Sequence, residues 1–87
     1  MTGEAVIADT LRRLLTDAAG IPAELVQLDS TFEGPLAMDS LSFVAFQVEV
    51  EQAFRIDCPL EELHEIQRFG EVVDLVARKV RAEGAVR

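Results

Sequence analysis

The residues able to do chemistry in this chain are few. Its one cysteine and one histidine, Cys58 and His64, stand six residues apart. Such a pair is conceivable as nucleophile and base, but no Gly-rich oxyanion loop or orienting motif accompanies it. One His and one Cys also fall short of a structural zinc site. Cys58, directly before Pro59, reads as a small packed residue, and His64, between Leu63 and Glu65, as a solvated one. Neither common Gly-rich phosphate loop is present, and no run has the alternating oxygen ligands and central Gly of an EF-hand. The 16 Asp and Glu side chains are too many and too evenly spread to single out an acid/base pair. No catalytic residue and no metal ligand is therefore assigned. What remains is Asp39-Ser40, immediately ahead of an apolar helical stretch. A chain so poor in reactive groups suits a protein that docks enzymes without performing their chemistry.

Three stretches with helical period must position these residues, and strand-like alternation is not sustained anywhere. In the first, Glu4 to Ala19, the residues Ile7, Leu11, Leu14, Leu15 and Ala18 share one face. Gly20 and Pro22 form its stop signal. A long connection follows from Ile21 to Met38, broken by Pro22, Gly34 and Pro35, with Leu25, Val26, Leu28 and Phe32 as its expected anchors. The second helix is expected from Asp39-Ser40 to near Phe54, with Asp39 as N-cap and its carboxylate at the positive end of the dipole. A short third helix follows with Pro59 as its first residue, Glu61 and Glu62 in its first turn, and Leu60, Leu63 and Ile66 as apolar positions. The last runs from Phe69 to about Arg81, carrying Val72, Val73, Val76 and Val80 on one face. The tail from Glu83 to Arg87 is expected to fray. The fold class is all-α: a small four-helix bundle, three longer helices plus one short one, with a long first loop.

The second helix is too apolar for a simple amphipathic element. At about 100° per residue, Phe43, Phe46, Val50, Ala53 and Phe54 occupy one sector, and Leu41, Val44, Ala45 and Val48 another roughly opposite. Ser42 and Glu49 lie on one flank, Gln47 and Glu51 on the other. The Phe-rich sector carries more area and is the expected core face, at roughly 25 cal/mol per Å2 buried. Leu41, Val44 and Val48 are then an exposed stripe of the kind that marks partner contacts. The alternative is a central helix buried all round, which small domains disfavour.

Composition narrows the classes further. The chain has 87 residues, fitting one domain over 1–87 with an ordered part of roughly 4–82. Hydrophobic residues make up 49%, enough for a core, and with five Phe but no Trp or Tyr that core is mostly aliphatic. The net charge of −8 opposes nucleic acid and anionic membranes, which attract Lys and Arg, and is compatible with a cationic protein partner. A lone Cys58 makes no internal disulfide. Glu4, Asp9, Arg12, Arg13 and Asp17 leave no room for a signal-peptide core, and no apolar run approaches the ~18 residues of a membrane span. The expected state is a cytoplasmic monomer. All of the net charge lies between Asp29 and Glu65, where nine acids face the single base Arg55. This acidic segment borders the apolar stripe, which favours docking to a basic patch.

The run Leu36-Ala37-Met38-Asp39-Ser40-Leu41 resembles the phosphopantetheine attachment motif of acyl carrier proteins, whose core is Asp-Ser-Leu. Upstream, Asp29-Ser30-Thr31-Phe32 is similar to the family's loop segment. Downstream, Phe54, Ile56, Pro59, Glu61-Glu62, Ile66 and Val72-Val73-Asp74-Leu75-Val76 fall in register. The resemblance covers the chain from the first helix to about Val80. It implies a non-catalytic, stand-alone carrier with Ser40 joined through a phosphodiester to 4′-phosphopantetheine from coenzyme A, and Asp39 as the acidic motif neighbour. It implies a phosphopantetheinyl transferase as one partner, and an acyltransferase, ketosynthase or adenylating ligase as others. The second helix becomes a recognition helix, with Leu41, Val44, Ala45, Val48, Glu49 and Glu51 as docking residues.

Several positions depart from the family's common pattern. Ala37 stands where Gly is usual, Ser42 and Ala45 where many fatty-acid-synthesis carriers are acidic, and Phe43 where a smaller residue is common. Arg68-Phe69 replaces a Thr-Val type pair. These departures leave modification at Ser40 intact and point to a specialised pathway, polyketide or related natural products. A carrier-like module that is never modified, and binds only through Leu41, Val44 and Val48, is the alternative.

Overall fold

The computed structural model describes residues 3–84, which form an all-α fold of four helices. Helix α1 spans Glu4–Ala19, α2 Ser40–Phe54, α3 Leu60–His64 and α4 Phe69–Gly84, with a 3-10 turn, Ala23–Leu25, in the first loop. Helix α4 thus continues past the expected end to include Glu83 and Gly84; the rest of the tail, residues 85–87, lies outside the described residues. In α1 the buried side chains Ile7, Ala8, Leu11, Leu14 and Leu15 follow the helical period. The helix stops at Gly20, whose φ of 71° is left-handed and whose N–H donates to the Thr16 carbonyl.

The long loop is held by its main chain more than by the expected apolar anchors. Val26 is buried and Phe32 half-buried, but Leu25 and Leu28 are exposed. Their carbonyls explain where they sit: Gly70 N–H donates to Leu28 O at 2.8 Å, and the Ser30 hydroxyl to Leu25 O at 3.3 Å. Phe32 N–H donates to Gln67 O at 3.0 Å and Phe69 N–H to Ser30 O at 2.9 Å, so the loop is stitched to the start of α4. Buried Ser30 also accepts from Gln27 N–H, which satisfies a polar side chain inside the fold. The apolar anchors that do go inward are Ile21, Val26 and Leu36. Arg12 adds a side-chain strut: its Nε donates to Val26 O at 2.8 Å while its guanidinium lies 5.4 Å from the Phe69 ring centre.

Helix α2 packs chiefly against α1, with α3 at its flank. Of its expected core face only Phe46 and Val50 are fully buried; Phe43 and Phe54 are half-buried and Ala53 is exposed. One neighbouring helix covers only the middle of a broad apolar sector, so the edges of that sector stay accessible. Arg55, at φ 56°, closes α2 in a left-handed conformation that costs a side-chain-bearing residue about 1–2 kcal/mol. Pro59 caps α3 one position ahead of the helix rather than opening it, and Ile66 lies beyond its end, half-buried. At the start of α4 the Glu71 carboxylate accepts from both Gln67 and Arg68 N–H at 2.8 Å. Those bonds, Arg68's the stronger, hold its pKa below the ordinary Glu value. Phe69, Val72, Val73, Val76 and Ala77 complete a continuous core with α1, the loop and the centre of α2.

This burial pattern separates two substitutions on one helix. Phe46→Ala should cost about 3–5 kcal/mol in urea unfolding, and Val48→Ala should stay within about 0.5 kcal/mol of wild type. Equal losses at the two positions would contradict the assignment of faces.

Candidate functional site

Ser40 is the first residue of α2 and is exposed. Two features deliver it there. Leu36, fully buried, ends a tight loop in which Leu36 N–H donates to Thr31 O at 3.0 Å, so the chain leaves the core just before the serine. Asp39 then takes the N-cap in extended conformation, φ −75° and ψ 173°, and its Oδ1 accepts from Ser42 N–H at 2.8 Å. The Ser42 backbone amide, and secondarily its hydroxyl, hold the Asp39 carboxyl below the ordinary Asp value. The cap is therefore turned along the helix, leaving Ser40 free at its outer edge. The first amides of α2 point toward the same end, where a helix favours negative charge.

Beside Ser40 runs an open groove of about 800 Å3 between the loop, α2 and the end of α3. Phe32, Met38, Phe43, Val44, His64 and Ile66 are among its walls. His64, expected simply to be solvated, is exposed but stacked on Phe43, with ring centres 5.2 Å apart and planes 10° from parallel. Cys58 is fully buried, and that burial pushes its thiol pKa up, away from reactivity. Cys58 does not line the groove. Among the described residues, no group of three or more His, Cys, Asp or Glu is arranged to hold a metal ion. No helix among them is long and apolar enough to cross a membrane.

The outward side of α2 continues from Ser40. Leu41 is 81% exposed, Val44 40% and Val48 41%, forming an apolar stripe, with Ala45 and Glu49 half-exposed beside it. Glu51, expected with these at the docking rim, has its carboxylate on the Cys58 N–H at 2.8 Å. The Cys58 carbonyl in turn accepts from Gln47 Nε2 at 2.9 Å. Sequence reading placed Gln47 and Glu51 on one flank of α2 but carried no signal of their shared partner. The His64–Phe43 stack was equally hidden, because the two rings come from separate helices.

The helical scaffold thus sets an exposed serine at the start of an otherwise unreactive helix, beside a groove and an apolar stripe. The phosphopantetheine attachment site family model matches residues 9–76. An acyl carrier protein of Rhodococcus erythropolis is 33% identical over 84 residues, covering 97% of this chain and 90% of that protein. One from Acidothermus cellulolyticus is 34% identical over 67 residues, 77% of this chain and 80% of its own. One from Rickettsia bellii is 34% identical over 64 residues, 74% of each. The chain belongs to the acyl carrier protein family: it is a non-catalytic carrier whose cofactor is covalently bound 4′-phosphopantetheine.

The Asp39 cap has a pH signature. Because its folded pKa is depressed, its contribution is fully present above the unfolded Asp value and is lost as pH falls through the folded one. Asp39→Ala should lower Tm at neutral pH, and the gap to wild type should narrow on acidification through the carboxylate range. A gap independent of pH would mean that the ionised carboxylate is not what caps α2.

Proposed function

We propose that Ser40 is the residue joined to 4′-phosphopantetheine, and that this carrier serves a specialised pathway, polyketide or related natural products. The observation that carries the attachment is the exposed hydroxyl of Ser40 at the first position of α2, with the neighbouring carboxylate committed to Ser42 N–H. A phosphodiester formed there meets the positive end of the helix dipole, where a phosphate is stabilised. The groove alongside leaves room for a bulky substituent, and buried Cys58 offers no competing nucleophile. These residues fit the group.

When bound, the arm supplies a terminal thiol that holds an acyl or aminoacyl group as a thioester. The rest of the work belongs to the chain. Asp39 fixes the start of α2 and so the direction of the Ser40 hydroxyl, while the buried Phe46 and Val50 hold the helix to the body. Leu41, Val44, Ala45, Val48 and Glu49 form the surface on which partners settle. Those partners are a phosphopantetheinyl transferase and the pathway's acyltransferase, ketosynthase or adenylating ligase. Tethering raises the local concentration of the cargo at whichever enzyme is docked. Ser42 and Ala45 make this surface less acidic than in many fatty-acid-synthesis carriers, which supports the specialised assignment.

Incubating the apo protein with coenzyme A and a broad phosphopantetheinyl transferase should add one phosphopantetheine unit to the intact mass, and Ser40→Ala should abolish the gain. A protein that never gains this mass while its apolar stripe still binds partners would be the unmodified module instead. Docking has its own expected outcome: Val44→Asp or Val48→Asp weakens delivery to partner enzymes and leaves the helical fold intact, as judged by circular dichroism. Partner affinity should also fall with added salt if the acidic segment steers association.

A further inference from the structure

Helix α3 has only five residues, too few to hold itself together, so its place is set by what grips its ends. Its last residue, His64, stacks on Phe43 of α2. Leu63 is buried, and Glu62 pairs with Lys79 of α4 at 2.9 Å. Ahead of the helix, residue 58 lies outside any helix and is fully buried, so its main-chain N–H and C=O need protein partners. Both come from α2. Glu51 Oε2 accepts from the Cys58 N–H and Gln47 Nε2 donates to the Cys58 carbonyl. Residues 47 and 51 are one turn apart and face the same way, so they work as a two-pronged clamp on the main chain of one residue, holding the peptides on either side of it.

We propose that Gln47 and Glu51 are positioning residues: by clamping residue 58 they set where α3 stands against α2. That placement fixes the His64–Phe43 wall of the groove beside Ser40 and the edge of the Val44/Val48 stripe. Val44 belongs to both surfaces, so a displaced α3 disturbs the stripe and the groove together. Glu51 then acts through its hydrogen bond, and its charge is not read by partners. The inference rests on the reading of Ser40 as the attachment point only for its kinetic readout.

The test uses the full-length apo chain with Glu51→Gln, which keeps an acceptor but removes the charge, and with Glu51→Ala and Gln47→Ala. Three quantities are read: hydrogen exchange of the Cys58 amide, the His64 ring-proton resonances, and KM and kcat of a phosphopantetheinyl transferase toward the carrier. Glu51→Gln should keep the His64 resonances and KM of wild type and lose less Cys58 amide protection than the alanine variant, since a neutral acceptor bonds more weakly than a carboxylate. Glu51→Ala should reduce Cys58 amide protection roughly tenfold, as loss of a hydrogen bond to a charged group implies. Both alanine variants should move the His64 resonances toward those of an unstacked imidazole and raise KM several-fold with less change in kcat, while thermal unfolding stays cooperative. A KM raised as much by Glu51→Gln as by Glu51→Ala overturns the proposal, since the charge would then be the recognised feature. So do alanine variants that leave the His64 resonances in place. Should Glu51→Ala not fold, Glu51→Asp replaces it, keeping the charge but shortening the reach; perturbed His64 resonances and a raised KM are expected, and wild-type behaviour overturns the clamp. Failure of wild type to be modified at all would count against Ser40, while the exchange and resonance measurements would still judge the clamp.

Discussion

The structure depends on a main-chain seam between residues 28–32 and residues 67–70. Leu28, Ser30, Phe32, Gln67, Phe69 and Gly70 exchange three backbone hydrogen bonds across it. A long loop buried in part cannot leave such groups unpaired, and here the start of α4 supplies the partners. The approach is close: a Cβ on Gly70 would stand 3.0 Å from the Leu28 carbonyl oxygen, so the lack of a side chain there lets the two chains meet. The consequence reaches the site. The seam brings Phe32 beside Ile66 and Gln67, and all three line the groove that opens next to Ser40. One set of bonds thus closes the fold and shapes the groove beside Ser40.

Helix α2 is the other place where structure and function share residues. Its apolar content exceeds what its neighbours can cover, because α1 lies along one side and the five-residue α3 along another. Phe46 and Val50 take the covered strip. Leu41 stays largely in solvent and Val44 and Val48 keep about 40% of their surface exposed, the apolar stripe on which the proposed docking rests. Charge is divided in the same way: Glu49 stays beside the stripe, whereas Glu51 and Gln47 turn to the Cys58 peptide.

The poverty of reactive groups is consistent throughout. The cysteine is buried with a raised pKa, the histidine stacks on a phenylalanine, and the carboxylate nearest Ser40 caps a helix. A carrier needs one accessible hydroxyl and a surface that enzymes can find, since the reactive thiol comes with the cofactor. Family membership follows from the match over residues 9–76 and from relatives that align along most of their length. The proposed pathway rests on the departures at Ser42, Phe43 and Ala45.

By itself the sequence determined the helices, the caps at Asp39 and Gly20 and the family. Periodicity, the Asp39 cap and the Gly20 stop act within one or two turns, so they can be read from neighbouring residues. Asp39-Ser40-Leu41 with its flanks carried the family resemblance and the proposed attachment point. How far each apolar face is covered was decided only by the tertiary structure. Ala53 proved exposed, and Leu25 and Leu28 gave the loop their carbonyls in place of their side chains. The pairing of His64 with Phe43, and of Gln47 and Glu51 with Cys58, was decided there too. A hydrophobic period states which side of a helix can be buried, but burial and partner choice depend on what packs there from distant parts of the chain.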